Sequence, residues 1–117
     1  MAGAITIQGQ ITSVPIGTVT VGPYNLTPTT SNNYQAISIT LASGTNTITV
    51  PTWAVGMIIT PSSANVQTLI FKGVSGDAGV AMSPTQPFLM TFPATPPTTF
   101  VLAAGGLFIT NTEITFF

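Results

Sequence analysis

The residues that could do chemistry are few, and most of them lie in one stretch, from Leu69 to Val80. Lys72 is the only basic residue of the chain, and Asp77 is one of only two acidic residues. Three glycines recur at every third position in this stretch: Gly73, Gly76 and Gly79. Lys72 and Ser75 are the residue types of a serine–lysine nucleophile, but the chain offers no further residue to orient such a pair. We therefore predict that the protein is not an enzyme and has no catalytic residue.

Residues that could bind a metal or a cofactor are equally scarce. The chain has no histidine and no cysteine, and its two carboxylates, Asp77 and Glu113, lie far apart in sequence. The glycine spacing is not a dinucleotide-binding fingerprint, and no helix follows it to supply anion-binding N–H groups. We predict no metal site and no cofactor.

The same stretch is better interpreted as a structural corner. An apolar run that enters a glycine-rich loop and another that leaves it predict two strands joined by a turn with positive φ angles. Asp77 can accept hydrogen bonds from turn amides, and Lys72 lies close enough in sequence to pair with it. The corner residues are thus expected to fix the geometry of the turn or to contact a partner: Lys72, Gly73, Gly76, Asp77 and Gly79.

Composition excludes several classes of partner. Charged residues make up 3% of the 117 residues, against about 25% in an ordinary soluble domain. One lysine cannot neutralise a nucleic-acid backbone, so we predict no nucleic-acid partner. No apolar run has the length of a membrane helix, and Met1 to Ala4 lacks the positive charge of a signal peptide. A neutral polar surface with a net charge of −1 gives little repulsion between copies, and this favours a homo-oligomer.

Alternation of apolar residues with Thr or Ser indicates half-buried strands, while ten prolines and eleven glycines disfavour helices. Strands are predicted at 4–11, 18–21, 36–41, 47–50, 56–60, 68–72, 87–92, 99–102 and 107–117. Their spacing is typical of a sandwich or barrel. We predict an all-β fold: one two-layer β-sandwich over residues 1–117, of jelly-roll or immunoglobulin-like type, with roughly eight to ten short antiparallel strands.

Two local features refine this prediction. Ser43 to Asn46 is the clearest turn of the chain and predicts a hairpin between its flanking strands. Residues 23–33, rich in Thr, Ser and Asn, form the best internal boundary. The preceding segment, 1–22, is expected to form either a first pair of strands or an extended arm that engages a neighbouring subunit, and its alternation favours strands.

Large apolar residues suggest where partners would bind. Trp53, with Tyr24 and Tyr34, could form a carbohydrate-stacking platform, but a lone Trp between short strands is more often a core or interface anchor. The candidate interface residues lie near the two ends of the chain and at this Trp: Ile5, Ile7, Trp53, Phe116 and Phe117.

Three segments carry a family resemblance. They read Asn-Thr-Ile-Thr-Val-Pro at 46–51, Met-Ile-Ile-Thr-Pro at 57–61 and Thr-Leu-Ile-Phe-Lys-Gly-Val-Ser-Gly-Asp-Ala-Gly-Val at 68–80. In this order they resemble small all-β virion structural proteins of tailed bacteriophages, in which such a strand, a second strand ending in proline and an L-x-x-K-G-V-x-G-D-x-G corner recur. The resemblance covers residues 36–110, and the corner is its most specific part.

The resemblance implies a structural role in a virion. The expected protein is a capsid decoration or cement protein on the outer capsid surface, or a small tail or fibre component, and proteins of this kind are often homotrimers. Its partners would be further copies of itself and the major capsid protein or another virion protein. Neutral, apolar interfaces suit such permanent assembly because they hold regardless of salt. The alternative, from a different class, is a receptor- or glycan-binding module at a tail tip, with Trp53 and the tyrosines as contacts.

Overall fold

The computed structural model describes residues 34–108 and 110–117 in full, and the backbone of residues 5–13 and 17–26. The chain divides into two compact units, Met1–Asn32 and Asn33–Phe117. The described residues form ten strands and no helix, which confirms the all-β prediction. The strands are β1 (Ile5–Ser13), β2 (Gly17–Leu26), β3 (Gln35–Ile39), β4 (Gly44–Thr49), β5 (Gly56–Thr60), β6 (Leu69–Lys72), β7 (Val80–Met82), β8 (Phe88–Thr91), β9 (Thr99–Ala104) and β10 (Thr112–Phe116).

The second unit is a two-layer β-sandwich of eight strands. One sheet has the order β3-β10-β5-β8 and the other the order β4-β9-β6-β7, and every pairing is antiparallel. In a jelly roll, eight strands form two four-stranded sheets, and the chain crosses repeatedly from one sheet to the other, as it does here. An immunoglobulin constant-type sandwich has seven strands in sheets of four and three. Of the two predicted types of sandwich, the strand order therefore selects the jelly roll.

The core lies between the two sheets. The period of two along each strand brings alternate apolar residues to the inner face, as in β10, where Thr112, Ile114 and Phe116 are buried and Glu113 is exposed. Phe71 of β6 stacks on Phe88 of the opposite sheet with ring centroids 5.4 Å apart. The largest completely buried residues of this core are Phe100, Phe108, Phe116, Leu41, Met57, Ile59, Leu69, Leu102 and Ile114. Full burial stabilises the fold by about 1.5–3 kcal/mol for each such side chain.

The hairpin predicted across Ser43 to Asn46 is wrong. A tight turn is present: Gly44 has a φ of +94°, and the Asn46 amide bonds both the N–H and the carbonyl of Ala42 at 2.9 Å. However, β3 pairs with β10 and β4 pairs with β9, so the turn carries the chain from one sheet to the other. The local signal identified the turn but not the partner of either strand.

The first unit contains a two-stranded antiparallel sheet formed by β1 and β2. The sequence predicts one sandwich over residues 1–117 and an internal boundary at 23–33. The eight strands of the sandwich all follow Asn33, and the two units divide after Asn32, at the end of that predicted boundary. The segment 1–22, expected as a pair of strands or as an arm, contains β1 and most of β2, which continues to Leu26, and its engagement of a neighbouring subunit stays a prediction.

β2 passes through Pro23 at an irregularity of the ladder. Ile7 pairs with Tyr24 and Gly9 with Val21, so Gly22 and Pro23 stand opposite the single residue Gln8. Proline has no N–H to donate to a ladder and is tolerated within strands at such bulges. This proline therefore marks a bulge inside the strand and not its end.

Candidate partner-contact site at the loop between β6 and β7

The predicted corner is a seven-residue loop, 73–79, that joins the antiparallel pair β6 and β7. The Asp77 carboxylate accepts a hydrogen bond from the Val74 N–H at 2.9 Å, and the Asp77 N–H donates to the Val74 carbonyl at 3.1 Å. The Lys72 ammonium donates to the Ser75 carbonyl at 3.5 Å. The two charged residues thus bond the backbone of the loop, and the turn is held by short-range polar contacts of the kind that Asx residues make.

The three glycines of the loop are not equivalent. Gly79 has a φ of +78°, as the sequence analysis expected of this turn, and a Cβ there would lie 2.6 Å from both Ile70 Cγ2 and the Phe71 carbonyl oxygen. At Gly73 a Cβ would meet the Asp77 carboxylate at 3.0 Å, and at Gly76 it would meet nothing within 4 Å. Neither Gly73 nor Gly76 has a positive φ. Only Gly79 is required by the backbone conformation.

The charged residues do not assemble into a reactive cluster. Glu113 lies on β10 and accepts a hydrogen bond from the Thr115 hydroxyl at 3.5 Å, whereas Asp77 lies in the loop after β6. In the described part of the chain, no three residues of the His, Cys, Asp and Glu types lie together as metal ligands would. Nor does that part contain a helix long and apolar enough to cross a membrane. The charged groups at this loop hydrogen-bond its own backbone.

Three exposed valines lie along the β6–β7 pair, a feature that the sequence pattern does not reveal. Val74 within the loop is 61% exposed, Val80 at the start of β7 is 62% exposed, and Val66, before β6 at the end of the pair away from the loop, is 86% exposed. The alternating pattern could not reveal them because burial at the edge of a sheet depends on which strands lie beside it. We call the loop 73–79, strand β7 and Val66 the β7 corner.

A shallow groove of about 300 Å³ adjoins the β7 corner. It is lined by Val66, Gln67, Thr68, Leu69, Ile70, Ala81, Met82 and Pro84, so its walls are mostly apolar and carry no charge. β7 is the last strand in its sheet and has a free edge among the described strands. With only three residues it is a short edge, the form in which proteins limit indiscriminate strand pairing. The β7 corner is the best candidate contact surface of the sandwich, because it combines the apolar groove, the exposed valines and the short edge strand.

Of the aromatic residues that could form a carbohydrate-stacking platform, Trp53 and Tyr34 lie in the sandwich. Trp53 lies in the turn between β4 and β5, is half-buried and packs against the core. Tyr34 is 68% exposed just before β3, and Tyr24 lies in β2, of which only the backbone is described. Trp53 is thus anchored on the core, one of the two roles expected of a lone Trp, and its role at an interface stays a prediction.

Two of the candidate interface residues are instead interior residues. Phe116 and Phe117 are each 1% exposed, so no partner can reach them while the sandwich is folded. Phe116 lies in the main core, and a Cβ added to Gly56 would lie 2.7 Å from Phe117 Cζ. The Phe117 carbonyl accepts hydrogen bonds from the N–H groups of Val55 and Gly56, and its own N–H donates to the Gly56 carbonyl. An apolar end of a chain looks the same in sequence whether it fills a core or an interface, which explains the error.

Ile5 and Ile7, the other two candidates, occupy β1, where they pair with Leu26 and Tyr24. Their role as interface residues stays a prediction. Compared with known proteins, the chain matches no protein family, no curated protein and no solved structure.

Proposed function

We propose that the chain is a non-enzymatic structural protein of a tailed-bacteriophage virion. In this proposal it is a decoration or cement protein that stabilises the head from the outer capsid surface as a homo-oligomer bound to the major capsid protein. The observation that carries the proposal is a jelly-roll sandwich whose chain has only three charged residues. The family resemblance of the segments within 36–110 supports the same role.

A nearly uncharged surface is a disadvantage for a free protein and an advantage for a permanent component of an assembly. Without net charge, copies of a protein do not repel one another, and solubility falls. An apolar, neutral interface loses nothing to salt screening, whereas an interface built on ion pairs weakens as ionic strength rises. A shell component that must stay bound under changing ionic conditions fits this composition.

Within this proposal the β7 corner contacts the capsid. Its exposed valines, Val74 and Val80, and the neighbouring groove supply apolar area, and the hydrogen-bonded loop holds them in a fixed arrangement. Preorganised apolar contacts of this kind give affinity because little conformational entropy is lost on binding.

The test is cosedimentation of the purified chain with capsids that lack it, followed by electron microscopy of the complex. We expect saturation at many regularly placed copies per particle, with an affinity that changes by less than about threefold between about 0.1 M and 1 M NaCl. Val80→Asp should weaken binding by about tenfold or more, because a carboxylate at an apolar contact loses its hydration.

The matched control is Thr91→Asp, which adds the same charge at an exposed position of β8 in the other sheet. This variant should bind as the unmodified chain does. Few copies at the tail tip, or retention of the chain by immobilised glycans, would contradict the proposal and favour the receptor-binding alternative.

A further inference from the structure

We infer that the β1–β2 sheet is an assembly element, and that its apolar face packs against the same face of the β1–β2 sheet in another copy of the chain. The inference rests on the homo-oligomer of the proposed function and names the part of the chain that holds it together. It is carried by the pairing register, by the size of the sheet and by its charge.

The register separates apolar from polar residue types except at Ser13, which lies with its partner Gly17 on the face of the apolar residues. Residues that pair across an antiparallel ladder share a face of the sheet, and successive pairs alternate between the two faces. One face receives Ile5 with Leu26, Ile7 with Tyr24, and Ile11 with Val19. The other face receives Thr6 with Asn25, Gln10 with Thr20, and Thr12 with Thr18. Every apolar residue in these pairs meets an apolar partner, so the sheet has one apolar face and one polar face.

The bulge at Pro23 is what keeps the apolar face continuous. In β2 the apolar residues fall at odd positions up to Val21 and at even positions from Tyr24 onward. An unbroken strand would place these two groups on opposite faces, because a shift of one residue exchanges the faces. The extra residue opposite Gln8 restores the register, so that Gly9 pairs with Val21 while Ile7 pairs with Tyr24. The bulge joins two apolar segments into one face, and this placement indicates that the face contacts another surface.

Such a sheet requires a second layer. Two antiparallel strands alone are marginally stable in water, and stable sheets cover an apolar face with another layer. Among the described residues of its unit, β1 and β2 have no further strand or helix beside them. With strands of nine and ten residues, the sheet is also long for an isolated pair.

The charge and the area of the apolar face suit contact with a second copy of the same sheet. Contacts between identical surfaces bring identical residues close together, and like charges there would repel. Residues 5–26 contain no charged residue, so this penalty is absent. At about 100 Å² for each large apolar residue, the face offers about 600–700 Å² per copy, close to the roughly 800 Å² per partner of a standard stable interface.

The first experiment compares two neighbouring substitutions in the full chain, Val19→Asn on the apolar face and Thr20→Asn on the polar face. Mass photometry and light scattering should show an oligomer for the unmodified chain and for Thr20→Asn. Val19→Asn should raise the dissociation constant by about tenfold or more, since an amide would be buried without a partner. Trp53 fluorescence reports separately that the sandwich is folded, because Trp53 packs on the sandwich core.

The second experiment uses the absence of cysteine from the chain. A single Ile11→Cys substitution should give disulfide-linked dimers under mild oxidation, and Thr12→Cys should not. Equal crosslinking of both variants, or an unmodified chain that is monomeric at micromolar concentration, would overturn the inference.

These outcomes are separable from those of the capsid experiment. An oligomer that depends on the apolar face but does not bind capsids refutes the proposed function alone. A chain that binds capsids as an oligomer unaffected by Val19→Asn refutes the assembly role of the β1–β2 sheet alone.

Discussion

Gly79 shows how one residue fixes the candidate contact site. Its positive φ reverses the chain at the start of β7, and its missing side chain leaves room for Ile70 and the Phe71 carbonyl. The exposed Val80 follows immediately, so its position depends on this backbone conformation. Gly79 therefore acts through its backbone conformation, which sets the position of Val80.

Gly79→Ala should therefore destabilise the sandwich. A non-glycine residue with this φ costs about 1–3 kcal/mol, and contacts at 2.6 Å add to that cost. Gly76→Ala in the same loop is the matched control, since it has open space and no positive φ, and it should stay within about 1 kcal/mol of the unmodified chain. Urea denaturation of both variants measures the difference. Equal stability would show that the loop conformation is not fixed by Gly79.

Thr112 is a residue whose replacement should raise stability, because its own side chain lowers the free energy of unfolding. Its hydroxyl is completely buried at the inner face of β10 and has no hydrogen-bond partner among the described residues. Thr112→Val keeps the shape and removes the hydroxyl, so it should raise the free energy of unfolding by about 1 kcal/mol. Thr115→Val, on the outer face of the same strand, should change it by less than about 0.5 kcal/mol. A Thr112→Val variant less stable than the unmodified chain would show that the hydroxyl is satisfied.

At the scale of the elements, the residue after β10 secures the end of the sandwich. The Phe117 ring lies over Gly56, and its backbone bonds both Val55 and Gly56. Phe117→Ala should cost about 3–5 kcal/mol, as is typical of a buried Phe, whereas Leu107→Ala, at an exposed position, should cost less than about 0.5 kcal/mol. Combining Phe117→Ala with Gly56→Ala should cost less than the sum of both, because the first change removes one of the contacts that an alanine at 56 would meet. Urea midpoints of the four variants give the comparison.

The sequence predicts the strands well and their partners poorly. β5 lies where alternation places it, at 56–60, because the period of two depends only on local burial. The partners of β3 and β4 are β10 and β9, which lie at residues 99–116, and no residue of the turn between β3 and β4 encodes those pairings. The bulge at Pro23 is equally invisible, since a proline in sequence is typical of both a strand end and a bulge.

The candidate site was predictable only in part. Local chemistry predicts the turn at Gly79, because a glycine-rich loop between two apolar runs has few alternatives. The exposure of Val74 and Val80 follows from β7 being an edge strand, which only the sheet order reveals. The burial of Phe117 likewise depends on Gly56, sixty-one positions earlier in the chain.

For the whole molecule, the scarcity of charge predicts insensitivity to salt. With three charged residues, there is little electrostatic energy to screen, so the free energy of unfolding should change by less than about 0.5 kcal/mol between about 0.1 M and 1 M NaCl. Sulfate, which acts by exclusion from the protein surface, should stabilise the fold and provides the positive control. A large loss of stability in NaCl would reveal electrostatic interactions that the composition does not suggest. Urea denaturation at the two salt concentrations decides the matter.

The place of β10 in its sheet also governs the order in which the protein can form during synthesis. β10 lies between β3 and β5, and of the described strands it is the last to be synthesised. Until β10 is made, β3 has no neighbour among the described strands of its sheet, and its backbone N–H and C=O groups lack the partners that β10 supplies. The nascent chain therefore exposes an incomplete, uncharged β-sheet at that stage, and a slow or interrupted synthesis should favour aggregation.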